Sequence, residues 1–394
     1  MHIMAEKKII CIATGTRAEY GLLKPLILRL MKQDNFEIRL IVTGTHLSPE
    51  FGFTYQEILN DGIPVDYKSE IVLASDTESG MVKSTGLAMI SFSDYFFNRK
   101  PDLLIVLGDR YEILACVTAA ALMRIPVAHL HGGEVTYGVV DEFIRHSVTK
   151  MSTLHFTSCE SYRKRVIQLG EQPGTVYNVG ALGVENIFNI QTLSLKDLEN
   201  DLSFTLNGKN FAVVTFHPIT LENYTGAEQL RELMLALDAF PDMKFVITKA
   251  NSDAGGREIN QLWSDYIVNR NNCYLVASLG MRRYLSLTKY AAVIIGNSSS
   301  GIIEGPATGT PTVNIGDRQK GRIMADSVIC CQPKASDIIN AIGKAVTYEF
   351  QVLASNVLNP YGDGDTSQKI VKIIQNFFSQ ERNVQKYFYD IEFN

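Results

Sequence analysis

Several features that mark whole protein classes are missing from this sequence of 394 residues. Its six cysteines, at 11, 116, 159, 273, 330 and 331, form no C-x-x-C pair and have no histidine at a zinc spacing, which argues against a disulfide framework and a structural metal. The vicinal pair Cys330 and Cys331 reads as small buried hydrophobes. No apolar run approaches the roughly 18–20 residues of a membrane span; Ile113–Met123 is among the longest. Met1–Ile12 lacks a secretory core, so the chain reads as cytoplasmic with no membrane partner. A net charge of −5 lacks the basic field that nucleic acid requires. Neither G-x-G-x-x-G nor G-x-x-x-x-G-K-[ST] occurs, so dinucleotide and P-loop chemistry lose support.

What is present is an ordinary globular balance, 46% hydrophobic and 20% charged, over a length that calls for about two domains. Short apolar runs alternate with amphipathic stretches in a βαβ rhythm: Lys8–Ala13, Glu37–Thr43, Asp102–Leu107, Pro126–Leu130, Thr153–Ser158 and Thr175–Val179. Runs such as Leu103–Leu107 are continuously hydrophobic, as strands of a parallel sheet covered on both faces must be. The polar stretch 191–210 reads as a linker, and the rhythm resumes with Phe211–Phe216, Lys244–Thr248, Cys273–Val276, Ala292–Ile295 and Pro311–Ile315. The expected fold is α/β, with two Rossmann-like domains over 7–188 and 205–365 facing a central cleft. A helical stripe at Ile370, Val371, Ile373, Ile374, Phe377 and Phe378 predicts that 366–394 returns to the first domain.

Ligands of open α/β sheets bind at the carboxyl ends of strands, so the loops there carry the candidates. After the first run, Thr14–Gly21 offers a glycine turn and Arg17 ahead of a helix expected near Leu22, an anion site or an ordinary βα turn. Gly108-Asp109-Arg110 sets opposite charges side by side at the mouth of a buried strand; helix capping by Asp109 is the bland alternative. The next run delivers His129, His131, Gly132, Gly133 and Glu134, then a helix near Asp141 with Arg145 four residues on, sharing its face. In the second half, Phe211–Phe216 ends at His217-Pro218. Lys244–Thr248 leads to Asn251, and Gly296–Gly301 supplies Ser298 and Ser299 before Glu304, a cradle for a diphosphate and a carboxylate for a ribose diol. Gly316–Arg322 adds Arg318. Position 300 is Ser, which makes G-x-S-x-G chemistry a superficial likeness.

Together these motifs resemble the UDP-N-acetylglucosamine 2-epimerase family, in its hydrolysing branch that supplies N-acetylmannosamine for sialic acid, over about residues 7–380. The resemblance implies a glycosyltransferase-B-like fold, a UDP-sugar substrate, no cofactor, no metal, and a homodimer or homotetramer. It implies anti elimination of UDP across C1–C2 to 2-acetamidoglucal, followed by hydration with inversion at C2. Asp109 and Asp141 would be acid/base groups on the sugar, Arg145 would hold them, and His217 would face the leaving diphosphate. Arg17, Arg110, Asn251, Ser298, Ser299, Glu304 and Arg318 would bind the UDP-sugar. Much of the family has Glu where this chain has His131, so His131 or Glu134 takes that role. The nearest rival substrate is UDP-2,4-diacetamido-2,4,6-trideoxyglucose; a retaining glycosyltransferase of the same fold is the rival activity.

Overall fold

The computed structural model describes residues 7–49, 52–73, 77–136, 140–206, 208–218, 226–250, 256–380 and 385–392. The chain divides into two compact units, one of residues 1–186 with 364–394 and one of residues 187–363.

In the first unit seven parallel strands are ordered β3-β2-β1-β4-β5-β6-β7. They are β1 (Lys8–Thr14), β2 (Phe36–Thr43), β3 (Val65–Ser69), β4 (Leu103–Leu107), β5 (Val127–Leu130), β6 (Leu154–Thr157) and β7 (Val176–Asn178). The order reverses between β1 and β4, where Cys11 pairs with Leu104. The sheet is packed on both faces. Ile10, Ile12 and Ile105 face one apolar cluster, whereas Cys11, Leu104 and Val106 face another with Phe92 and Phe96. This is why β4 is apolar at every position: neither face meets water.

The second unit repeats the plan with six parallel strands, ordered β10-β9-β8-β11-β12-β13. They are β8 (Phe211–Thr215), β9 (Lys244–Thr248), β10 (Cys273–Val276), β11 (Val293–Gly296), β12 (Thr312–Ile315) and β13 (Val328–Cys331). One face buries Trp263, Phe245, Ile295 and Ile342. As the apolar stripe predicts, the helix Thr366–Ser379 returns to the first unit and buries Ile370, Val371 and Ile374 beside Ile27 and Leu30.

Four expectations are corrected. The first helix starts at Arg17, not near Leu22, because the Thr16 hydroxyl accepts from the Glu19 amide at 3.2 Å and caps it. Residues 191–210 are not simply a linker. The helix Leu195–Leu202 forms there, and its leucines are a stripe that buries Leu198 and Leu202 with Leu206, Phe211 and Leu287. Strands β3 and β13 were not expected from the sequence; both are edge strands, β3 polar in sequence (Val65-Asp66-Tyr67-Lys68-Ser69) and β13 only partly buried. Cys330 is exposed on β13 rather than buried, while burial pushes the Cys331 thiol up to about 12.

Candidate functional site

Asp109 follows β4 on a turn made by Gly108, whose φ is +82°. The carbonyl of Gly108 is fixed by His129 Nε2 at 2.9 Å, and the other ring nitrogen of His129 lies 3.1 Å from the Thr149 hydroxyl. His129 has no exposed surface, and burial holds it down to about 3, so it stays neutral and donates to that carbonyl. Arg145, on the helix Val140–Met151, is 2% exposed. Its guanidinium donates to the Asp109 carboxylate, to Glu142 Oε2 at 2.8 Å, to the Thr136 hydroxyl at 2.7 Å and to the Glu134 carbonyl at 2.8 Å. One buried cation thus ties the β4 turn to the loop after β5. Asp141 lies exposed on the first turn of the same helix. The helical carboxylate seen on Arg145 is Glu142, three residues back, which the four-residue spacing passed over. Partial burial pushes the Glu142 carboxyl up, but the Thr136 amide, which donates to it at 2.6 Å, and the Arg145 guanidinium outweigh that and hold it below the ordinary range.

His131 follows β5 with φ +65°, and its Nδ1 is 3.1 Å from Glu134 Oε1. Glu134 is buried, and the Ser158 hydroxyl donates to the same oxygen at 2.9 Å. Gly133, at φ +78°, passes so near the next helix that a Cβ there would sit 2.5 Å from the Tyr162 carbonyl. Asp109, Arg145, His131 and Glu134 are therefore brought into one hydrogen-bonded network, knit through the backbone and side chain of Glu134.

The turn after β1, which the sequence left open between an anion site and an ordinary βα turn, is closely packed. The Gly15 amide is already taken by Glu19 Oε2 at 2.7 Å. Glu112, with no exposed surface, lies beneath, where a Cβ on Gly15 would meet its Oε1 at 2.6 Å. Arg110 donates to that same Oε1 at 2.7 Å. Burial first, and the charge of Glu112 second, push Glu19 up to about 8. Arg17 does not join this cluster; it pairs at the surface with Glu57 at 3.0 Å.

In the second unit, Asn297 organises the strand ends. It is fully buried after β11, its Oδ1 accepts from the His217 amide at 2.8 Å, and its Nδ2 donates to the His217 carbonyl at 2.9 Å. Arg318 and Gln319 donate to the Asn297 carbonyl at 3.0 and 2.9 Å. Gly296 is required between them, since a Cβ there would fall 1.8 Å from the Thr215 carbonyl. Ser298 caps the short helix Ser299–Ile303. Glu304 receives the Ser300 hydroxyl and is held above the ordinary carboxylate range by burial, with that hydroxyl pulling the other way. His217, Ser298, Ser299 and Arg318 thus share one sheet edge. Asn251 lies outside the described residues.

The model of the UDP-N-acetylglucosamine 2-epimerase family matches residues 28–375. The chain belongs to the UDP-N-acetylglucosamine 2-epimerase family. It is an enzyme of the hydrolysing branch. It is 42% identical over 346 residues to the hydrolysing GDP/UDP-N,N'-diacetylbacillosamine 2-epimerase of Campylobacter jejuni, covering 88% of this chain and 89% of that one. It is 38% identical to the polysialic acid biosynthesis protein P7 of Escherichia coli, covering 98% of both. Among solved structures, the Neisseria meningitidis UDP-GlcNAc 2-epimerase bound to UDP-GlcNAc shares the fold with a TM-score of 0.73 at 21% identity, over 94% of this chain and 100% of that one.

In this 2-epimerase the sequence reading missed Glu142, Thr136, Ser158, Glu19 and Asn297 as polar partners. Glu142 had the helical spacing to Arg145; the others lie in quoted or adjacent motifs with no spacing signal. Among the described residues no group of three or more His, Cys, Asp or Glu side chains is placed to hold a metal, and no helix is long and apolar enough to cross a membrane.

Proposed function

We propose that the chain hydrolyses a UDP-linked 2-acetamido sugar with inversion at C2, through anti elimination of UDP and hydration of the resulting glycal. The observation that carries the reading is the network in which Arg145 holds Asp109 against Glu142 and the Glu134 backbone, because such a reaction needs fixed acid/base groups. The C2 proton is not acidic and leaves only as the C1–O bond breaks, so proton transfer and stabilisation of the departing diphosphate act together. The overall change is redox-neutral, so no electron carrier enters its balance.

Asp109 and Asp141 act as acid/base groups on the sugar, with Arg145 holding Asp109. His217 faces the diphosphate. Arg17, Arg110, Ser298, Ser299, Glu304, Arg318 and Asn251 bind the UDP-sugar. The preferred substrate is UDP-2,4-diacetamido-2,4,6-trideoxyglucose, supported by the 42% identity to the Campylobacter jejuni enzyme. UDP-N-acetylglucosamine, giving N-acetylmannosamine, is the second reading; the match to the polysialic acid biosynthesis protein over 98% of both chains favours it.

Proton NMR in D2O with each sugar nucleotide in turn tests both. The expected result is free UDP and a C2-deuterated diacetamido sugar of inverted configuration, with UDP-N-acetylglucosamine turned over at least tenfold more slowly. The reverse preference selects the second reading. Release of UDP with protium retained at C2 would mean glycosyl transfer or simple hydrolysis, and the proposal would fall.

A further inference from the structure

The loop from His131 to Glu134 is built around one imidazole. A φ of +65° is sparsely populated for a residue with a side chain. The surroundings hold it there. The His131 amide donates to the Phe156 carbonyl at 2.8 Å, Arg165 donates to the Gly133 carbonyl, and Arg145 to that of Glu134.

The side chain is oriented as firmly. A carboxylate only accepts, so the nitrogen facing Glu134 Oε1 at 3.1 Å carries hydrogen. The tautomer is then Nδ1–H, and Nε2 presents a lone pair. That Nε2 is buried and has no hydrogen-bond partner among the described residues. Leaving a buried acceptor unmatched is unfavourable. Glu134 Oε1, by contrast, already receives both His131 and Ser158.

We propose that His131 Nε2 takes the C2 proton of the sugar, and that Glu134 and Ser158 are positioning residues that fix its tautomer and direction. The inference rests on the reaction proposed above. In the step, the Nε2 lone pair bonds to the C2 hydrogen, the C2–H electron pair becomes the C1=C2 bond, and the C1–O pair departs on the UDP oxygen. The imidazolium formed is stabilised by the Glu134 carboxylate, as in a base held by a buried acid. Titratable and charged groups on the surrounding elements include Asp109 and Arg110 after β4, His129 on β5, Asp141, Glu142, Arg145, His146 and Lys150 on the helix Val140–Met151, His155 on β6, and Glu160, Tyr162, Arg163, Lys164 and Arg165 on the helix Glu160–Gln168.

The test compares wild type with His131→Asn, Glu134→Gln and Ser158→Ala, using whichever sugar nucleotide the wild type consumes. Asn tolerates the left-handed backbone, so His131→Asn keeps the loop. It should lose at least 100-fold in kcat with KM within about threefold. Glu134→Gln keeps the acceptor but not the charge. Its kcat should fall about tenfold, and the acid limb of kcat/KM should move to lower pH, since the imidazolium loses its partner. Ser158→Ala should fall severalfold. Nitrogen-15 spectra of the wild-type histidines should show His131 as the Nδ1–H tautomer. A His131→Asn enzyme within a few-fold of wild type overturns the proposal, as does a fall in Glu134→Gln with an unmoved acid limb. If wild type consumes neither sugar, the reaction assignment fails instead, and an Nε2–H tautomer would separately overturn the geometry.

Discussion

The two candidate clusters are held by opposite means. In the first unit a buried guanidinium binds two carboxylates, a hydroxyl and a carbonyl, so charge holds charge. In the second unit Asn297 clamps the His217 backbone from both sides, and the cationic Arg318 donates to a main-chain carbonyl. The first arrangement aims two carboxylates from one buried cation and holds Glu142 below the ordinary carboxylate range, which suits proton traffic. The second fixes the course of the chain through main-chain hydrogen bonds at the ends of the strands. The same sheet architecture has thus been given two kinds of strand end.

Arg145→Ala breaks the first cluster and should have the larger effect. Removing one member of a buried pair leaves uncompensated charge and costs about 3–5 kcal/mol, nearer the low end here because Asp109 and Glu142 keep about a quarter of their side-chain surface exposed. Urea unfolding should show it as a lowered midpoint. Asn297→Ala breaks the second. It leaves the His217 amide and carbonyl without their clamp, for about 1–3 kcal/mol, and should raise KM more than it lowers kcat. If Asn297→Ala proves the more destabilising of the two, the contrast between charge-held and backbone-held strand ends is wrong.

Much of this was legible in the chain. Continuously apolar runs such as Leu103–Leu107 announced covered parallel strands, and the residues following them announced the candidate positions. What spacing could not show is which polar neighbour a side chain selects. Asp141 and Glu142 both sit within reach of Arg145 on a helix, and the choice depends on rotamer and on where Thr136 and Asp109 lie in three dimensions. Asn297 was hidden for a related reason: an amide reads as loop filler until both backbone groups that it satisfies, eighty residues away, are known. The turn after β1 shows the same limit: its glycine stood open between an anion site and an ordinary βα turn, and the sequence did not reveal that Gly15 is small so that Glu112 fits beneath it.

That turn gives the smallest and most pointed contrast. Glu19 is a buried acid near a second carboxylate rather than on a cation, and burial and Glu112 raise it to about 8 from its ordinary 4.5. The folded state therefore binds this proton more tightly than the unfolded chain does. Its contribution to stability is fully present below about 4.5 and is lost as pH rises through about 8. His46 and His129, held down to about 4 and about 3 by burial, act in the opposite sense and favour folding as pH rises toward 6.5. Their effects overlap in wild type but cancel in a difference. Glu19→Gln mimics the protonated acid and its Oε1 can still receive the Gly15 amide, so its stability relative to wild type should climb between pH 5 and 9 by on the order of 1–3 kcal/mol. Thermal melts of the two proteins across that range measure it. A difference that stays flat would mean that Glu19 is ionised in the fold and that this turn, like the Arg145 cluster, is held by charge.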